Sequence, residues 1–122
     1  MVDTRIFVYG TLKRGCSNHH YLDNQRFVAE ANTVPRYRLV DCGSYPGLLE
    51  TPENGLSIKG EVWDVDAACL HKLDILEGIE EGLYECRPIQ LQPPFDQEPI
   101  LTYYYTFPSK GLPDAGEEWV EN

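Results

Sequence analysis

Basic residues are scarce in this chain, and other features that would place it on a nucleic acid, in a membrane or outside the cell are missing. Ten Lys and Arg stand against twenty Asp and Glu in 122 residues, a formal charge of −10. That balance argues against nucleic acid or an anionic membrane as partner, since both demand a basic patch. No apolar run is long enough to span a bilayer. Met1-Val2-Asp3-Thr4-Arg5 has neither the basic region nor the apolar core of a secretion signal, so the expected location is cytoplasmic. The four cysteines, Cys16, Cys42, Cys69 and Cys86, form no Cys-x-x-Cys pair. Free buried thiols are therefore expected, not a disulfide framework. Cys16, His19 and His20 are neighbours, but no second cluster with zinc-type spacing accompanies them, and no metal is expected. Their segment reads as a solvated helix start capped by Ser17 or Asn18. Repeats and low-complexity stretches are absent. The length suits one core and not two, so residues 1–122 are read as one domain.

The pattern that is present is strand-rich with one helix. Apolar and aromatic runs predict strands at 5–9, 27–34, 37–42, 57–65, 85–91 and 100–107. Turn chemistry at Asp23-Asn24, Asn54-Gly55 and Pro93-Pro94 separates several of them. The tail from 108 to 122 is punctuated by Pro and Gly and reads as a loosely held arm, with Trp119 as its one pin to the body.

The first strand ends in Tyr9-Gly10-Thr11-Leu12-Lys13-Arg14-Gly15. A sharp turn at Gly10 exposes successive backbone N–H groups, and such a nest attracts anions because converging amides act as partial positive charge. Lys13 and Arg14 beside it either draw in an anionic substrate or form a solvated turn.

The helix is predicted over 67–77, with Asp66 as N-cap and Gly78 in the left-handed position that closes it. At about 100° per residue, Cys69, Leu70, Leu73 and Leu76 make one apolar sector. Glu77 projects roughly 50° from its centre and Asp74 about twice as far. Glu77 is thus expected to look inward, while Asp74, His71, Lys72, Glu80 and Glu81 meet water, Asp74 supporting the helix end. Burial and the negative helix C-terminus both disfavour an ionised carboxylate, so the Glu77 pKa should rise from about 4.3 toward the range of a general base. By position alone, a carboxylate bonded to backbone or tyrosine for the sake of the fold competes with that reading.

These residues resemble the signature blocks of the γ-glutamylcyclotransferase-like (AIG2-like, BtrG-like) superfamily. Val8-Tyr9-Gly10-Thr11-Leu12-Lys13-Arg14-Gly15 looks like its N-terminal signature, and Tyr45-Pro46-Gly47-Leu48 like its Tyr-Pro-x-Leu element. Lys59-Gly60-Glu61-Val62-Trp63 is similar to its Gly-Glu strand, and Leu73-Asp74-x-x-Glu77-Gly78 followed by Tyr84 to its Leu-Asp-x-x-Glu-Gly…Tyr block. The blocks occur in family order over most of residues 5–107, nearest to the γ-glutamylamine cyclotransferase branch.

The resemblance implies a compact α+β fold, a mixed β-barrel with few short helices. It also implies an enzyme (a lyase or acyltransferase in reaction type) that needs neither metal nor organic cofactor. Such an enzyme converts a small γ-glutamyl amine or amino-acid derivative to 5-oxoproline and free amine. Glu77 would then be the catalytic acid/base, and Tyr9, Gly10, Thr11, Leu12, Tyr45 and Tyr84 the substrate-binding residues. The amides of Gly10, Thr11 and Leu12 would hold either the substrate's α-carboxylate or a developing oxyanion. Tyr105 would wall the pocket or pack in the core, and Tyr103 is expected to be core. Many members carry Tyr-x-Arg after the acidic loop, whereas here Tyr84-Glu85-Cys86-Arg87 displaces the arginine by one position. On a strand that moves it to the opposite face, so no substrate contact is expected from Arg87. The alternative is a non-catalytic small-molecule-binding domain of the same fold. The resemblance leaves the oligomeric state open.

Overall fold

The computed structural model describes residues 3–121. Its centre is β1 (Thr4–Val8), whose Ile6-Phe7-Val8 run is buried on both faces. A strand buried on both faces needs a neighbour on each edge. β5 (Lys59–Val65) pairs antiparallel on one side, from Thr4↔Val65 to Val8↔Glu61. β7 (Leu101–Tyr105) runs parallel on the other, at Ile6↔Leu101. β2 (Arg26–Asn32) and β6 (Tyr84–Pro88) complete a five-stranded sheet of order β2-β5-β1-β7-β6. A smaller sheet of order β4-β3-β8 joins β3 (Tyr37–Asp41), β4 (Pro46–Glu50) and β8 (Asp114–Gly116). Alternation along β1 feeds two core clusters. Phe7 joins Val62 and, from the small sheet, Leu39 and Leu48. Ile6 and Val8 join Trp63, Val65 and the helix α1 (Ala67–Leu76) through Cys69 and Leu73.

The α+β class holds, but the barrel is not closed. The large sheet curls until the continuations of its edge strands meet at a single bridge, Thr33↔Leu91. Val34 N–H donates to Gln90 O at 3.1 Å and Gln92 N–H to Asn32 O at 2.9 Å. One bridge is not a ladder, and the remaining strands form a separate sheet. Neither β4 nor β8 is among the strands expected from pattern. No helix of the described residues is long and apolar enough to cross a membrane.

α1 forms where expected and ends one residue earlier. The Asp66 carboxylate accepts the Cys69 N–H at 2.8 Å, and Gly78 has φ +67°. The predicted helix start near Cys16 is only a 3-10 turn over His19–Leu22, and Asn18 supplies no side-chain cap to it. All four thiols are free, with Cys69 buried and the others half-buried.

The tail is a correction. It is tied down at several points, because β8 pairs with β3 and Lys13 Nζ donates to Trp119 O at 2.6 Å. Lys59 N–H reaches Glu117 O at 2.8 Å, and Ser17 N–H reaches Glu121 Oε1 at 2.9 Å.

Candidate active site

A cavity of about 280 Å³ opens where the end of β1, the start of β4 and the end of α1 meet. Its lining includes Tyr9, Gly10, Thr11, Leu12, Tyr45, Glu77 and Tyr84, the seven residues given catalytic or binding roles from sequence, but not Tyr105. Ser17, Asn18, Ser44, Pro46 and Tyr103 also line it. Pro46 belongs to a block noted in the sequence. Ser17 and Asn18 were read there only as helix caps, and the pattern carries no signal for Ser44.

The junction depends on a missing side chain. A Cβ on Gly10 would lie 2.7 Å from Pro46 Cγ, so only glycine lets β1 and β4 approach this closely. The Tyr84 hydroxyl donates to Pro46 O at 2.6 Å and fastens β6 to the same point.

The loop after β1 is one-sided in its bonding. Gly10 O accepts from Lys13 N–H at 3.1 Å, and Thr11 O from Asn18 N–H at 2.8 Å. Leu12 O lies 3.0 Å from His19 Nδ1, and Thr11 Oγ1 accepts from Asn18 Nδ2 at 3.0 Å. The amides of Gly10, Thr11 and Leu12, by contrast, donate to no group among the described residues. A buried loop normally pairs its N–H groups. Three successive empty donors on a cavity wall are a site for an anionic or carbonyl oxygen.

Glu77 is the one carboxyl side chain among the described residues of the lining. Its backbone caps α1, with Glu77 N–H on Leu73 O at 2.9 Å, while its carboxylate has no hydrogen-bond partner among the described residues. Burial pushes its pKa from 4.5 up to about 7. Desolvation is the cause of that rise. Burial, with Glu77 as a further contributor, also lifts the phenols of Tyr9 and Tyr84 above their usual range. Both hydroxyls are therefore neutral donors, and Tyr9 gives its own to Tyr103 O at 2.6 Å.

Three expectations around the cavity change. Asp74 does not simply face water; it accepts the Tyr103 hydroxyl at 2.8 Å, and Tyr103 is both core and cavity wall. Lys13 is buried on Trp119 O. Arg14 pairs with Glu61 at 3.0 Å and Glu30 at 3.4 Å, and its guanidinium lies 3.9 Å from the Phe27 ring centre. Neither cation lines the cavity. Arg87, as expected, stays away: it pairs with Glu50 at 2.8 Å and covers the Tyr104 ring. A larger cleft of about 710 Å³ is lined by Lys13, Arg14 and Lys59 together with Glu30, Glu61 and Glu118, so its charges balance. Among the described residues no group of three or more His, Cys, Asp or Glu is arranged to hold a metal.

Comparison with known proteins adds independent findings. The profile of the family described as "Gamma-glutamyl cyclotransferase, AIG2-like" matches residues 6–121. A Vibrio cholerae protein provisionally named gamma-glutamylcyclotransferase is 40% identical over 116 residues, covering 95% of each chain. Human gamma-glutamylaminecyclotransferase is 38% identical over 101 residues, 77% of this chain and 65% of that protein. The crystal structure of an AIG2-like protein from Mus musculus superposes with a TM-score of 0.79 at 32% identity, covering 98% of this chain and 90% of that one. Several eukaryotic relatives are longer; the chain spans 51% of the Drosophila melanogaster and 58% of one Danio rerio relative.

Proposed function

The chain belongs to the gamma-glutamyl cyclotransferase, AIG2-like family, and from that premise we propose that it releases an amine from a small γ-glutamyl compound by cyclising the glutamyl part to 5-oxoproline. The observation that carries this reading is the Glu77 carboxylate, unpartnered and raised to about 7, in one cavity with three empty amides.

The chemistry assigns each part a task. The substrate's α-amine must attack its own γ-carbonyl carbon, yet with a reference pKa of about 7.7–8.0 it is mostly protonated near neutrality. Glu77 takes a proton from it. The nitrogen then bonds to the γ-carbon, and the bond from that carbon to the leaving nitrogen breaks as Glu77 returns the proton there. The ring nitrogen gives up its remaining surplus proton to solvent, which leaves the neutral lactam. A base with pKa near the working pH serves both transfers, an effect worth about 10²–10⁴-fold. Holding the glutamyl chain curled contributes more, since effective molarities reach about 10⁵–10⁸ M.

The α-carboxylate needs a partner, and among the described residues no Lys, Arg or His lines the cavity. The open amides of Gly10, Thr11 and Leu12 take that role, and the Tyr9, Tyr45 and Tyr84 rings wall the curled chain. No step calls for a metal or an organic cofactor.

The test is 5-oxoproline release from a panel of γ-glutamyl amines, γ-glutamyl amino acids and glutathione, with Glu77→Gln alongside. Release by the parent and not by the variant supports the reading and identifies the leaving group. A folded parent that releases nothing from any of them overturns it in favour of a binding domain.

A further inference from the structure

Glu61 is a buried carboxylate that the proposed reaction does not use. It is 6% exposed, lies on β5 and does not line the cavity. Its place in the register is at Val8↔Glu61, where β1 ends and the amide loop begins. Its side chain then reaches the loop's other end. Oε1 accepts the backbone N–H of Arg14 at 3.1 Å and the Trp63 indole N–H at 3.1 Å. Oε2 accepts Arg14 Nε at 3.0 Å. One residue therefore grips the loop twice, by strand pairing at its entry and by a carboxylate at its exit.

We infer that Glu61 is the positioning residue of the amide cradle, fixing the loop so that the Gly10, Thr11 and Leu12 N–H groups stay turned to the substrate's carboxylate. The inference rests on the reading that those amides hold that carboxylate. One observation carries it beside that double grip. The loop's amides divide by ownership: Lys13 N–H and Arg14 N–H are taken within the fold, whereas the three before them are empty. The Arg14 side chain is 46% exposed, so its ion pair with Glu61 is screened by solvent and adds little net stability. Its geometric effect is strong, because a carboxylate bonded through both oxygens tolerates little displacement of its donors. Free amides would otherwise relax toward the nearest carbonyl, and an anion cradle depends on their convergence. Glu61 thus acts through the loop and touches no reacting atom.

The experiment compares Glu61→Ala, Glu61→Asp and Glu61→Gln with the parent. It reads KM and kcat for a turned-over γ-glutamyl amide and, by calorimetry, the affinity for 5-oxoproline, which keeps the carboxylate. Glu61→Ala is expected to raise KM and weaken 5-oxoproline binding by about tenfold, the scale of losing bonds to a charged group. The pH midpoint of kcat, set by Glu77, should not move. Glu61→Gln keeps an oxygen for the Arg14 amide and should recover most of the affinity. Where Glu61→Ala does not fold, Glu61→Asp, whose oxygens fall short of Arg14, should show a smaller rise of the same kind. A folded Ala or Asp variant with parental KM and parental 5-oxoproline affinity overturns the proposal. A parent that binds 5-oxoproline but turns nothing over, with binding lost in Glu61→Ala, keeps this inference and sinks the cyclisation instead.

Discussion

Replacing Glu77 by glutamine should abolish turnover and, at alkaline pH, make the protein more stable than its parent. The folded protein holds the Glu77 proton to about pH 7, against 4.5 for an unburied glutamate. A raised folded-state pKa means that the native chain binds this proton more tightly than the unfolded one. The stabilisation is fully present below about 4.5 and is lost as pH rises through about 7. At about 1.36 kcal/mol per unit, the loss amounts to about 3 kcal/mol once the carboxylate is ionised. Glutamine has the same shape and no charge to desolvate, so it escapes the loss. Acidic conditions erode the net charge of −10 that keeps the chain soluble, so the practical comparison runs from pH 5.5 to 8.5. That window retains about 2 kcal/mol of the difference, roughly 8 °C in Tm for a chain of this size. Urea titrations followed by tryptophan fluorescence, at half-unit pH steps, measure it directly. The variant's advantage should grow steadily between pH 5.5 and 7.5 and then level off. Parallel stability curves for parent and variant would refute the argument, because they would mean that Glu77 ionises in the folded state at its ordinary value.

Other consequences are open to test. If ionised Glu77 is the base, kcat should climb with pH and half-saturate near 7; a midpoint near 4.5, read from initial rates in overlapping buffers, would remove burial from the mechanism. Gly10→Ala puts a Cβ 2.7 Å from Pro46 Cγ and should cost about 1–3 kcal/mol in thermal unfolding, with a raised KM as the β1–β4 junction shifts. Asp66→Ala removes the cap on Cys69 N–H and should cost about 1 kcal/mol of stability, read from urea midpoints, without changing kcat. Arg87→Ala should leave KM unaltered, since that side chain is engaged with Glu50 and Tyr104 away from the cavity; a rise in KM would place it on the substrate after all.

How much of this could be read beforehand follows the range of the forces involved. α1 and its ends were legible because capping and periodicity act within a few residues: Asp66, the Leu70-Leu73-Leu76 sector and Gly78 lie within one short segment. The inward aim of Glu77 came from the same local arithmetic. β1 and β7 announced themselves as aromatic, β-branched runs. β4 opens with Pro46-Gly47 and β8 is Asp114-Ala115-Gly116, neither of which favours a strand. Both form by pairing with β3, β4 through a tight hairpin that closes at Asp41↔Pro46 and β8 from the far end of the chain at Leu39↔Gly116. The cations misled for a related reason. Lys13 and Arg14 look free in sequence because their partners, Trp119 O and Glu61, stand 106 and 47 residues away. Asp74 was placed on the helix flank correctly, but the helix alone could not reveal that Tyr103 would reach it from β7.

The tie from Lys13 to Trp119 gives the site a place in time as well as in space. A ribosome releases the amide loop early and its buttress 106 residues later, so a nascent chain carries the loop's sequence long before the loop can have its shape. Until β7 has paired beside β1 and the tail has crossed Lys13, the loop lacks two of the contacts that hold it. The cavity is completed late in the life of the polypeptide, and an interrupted translation product would hold Glu77 and Gly10 alike without the enclosure that brings them together.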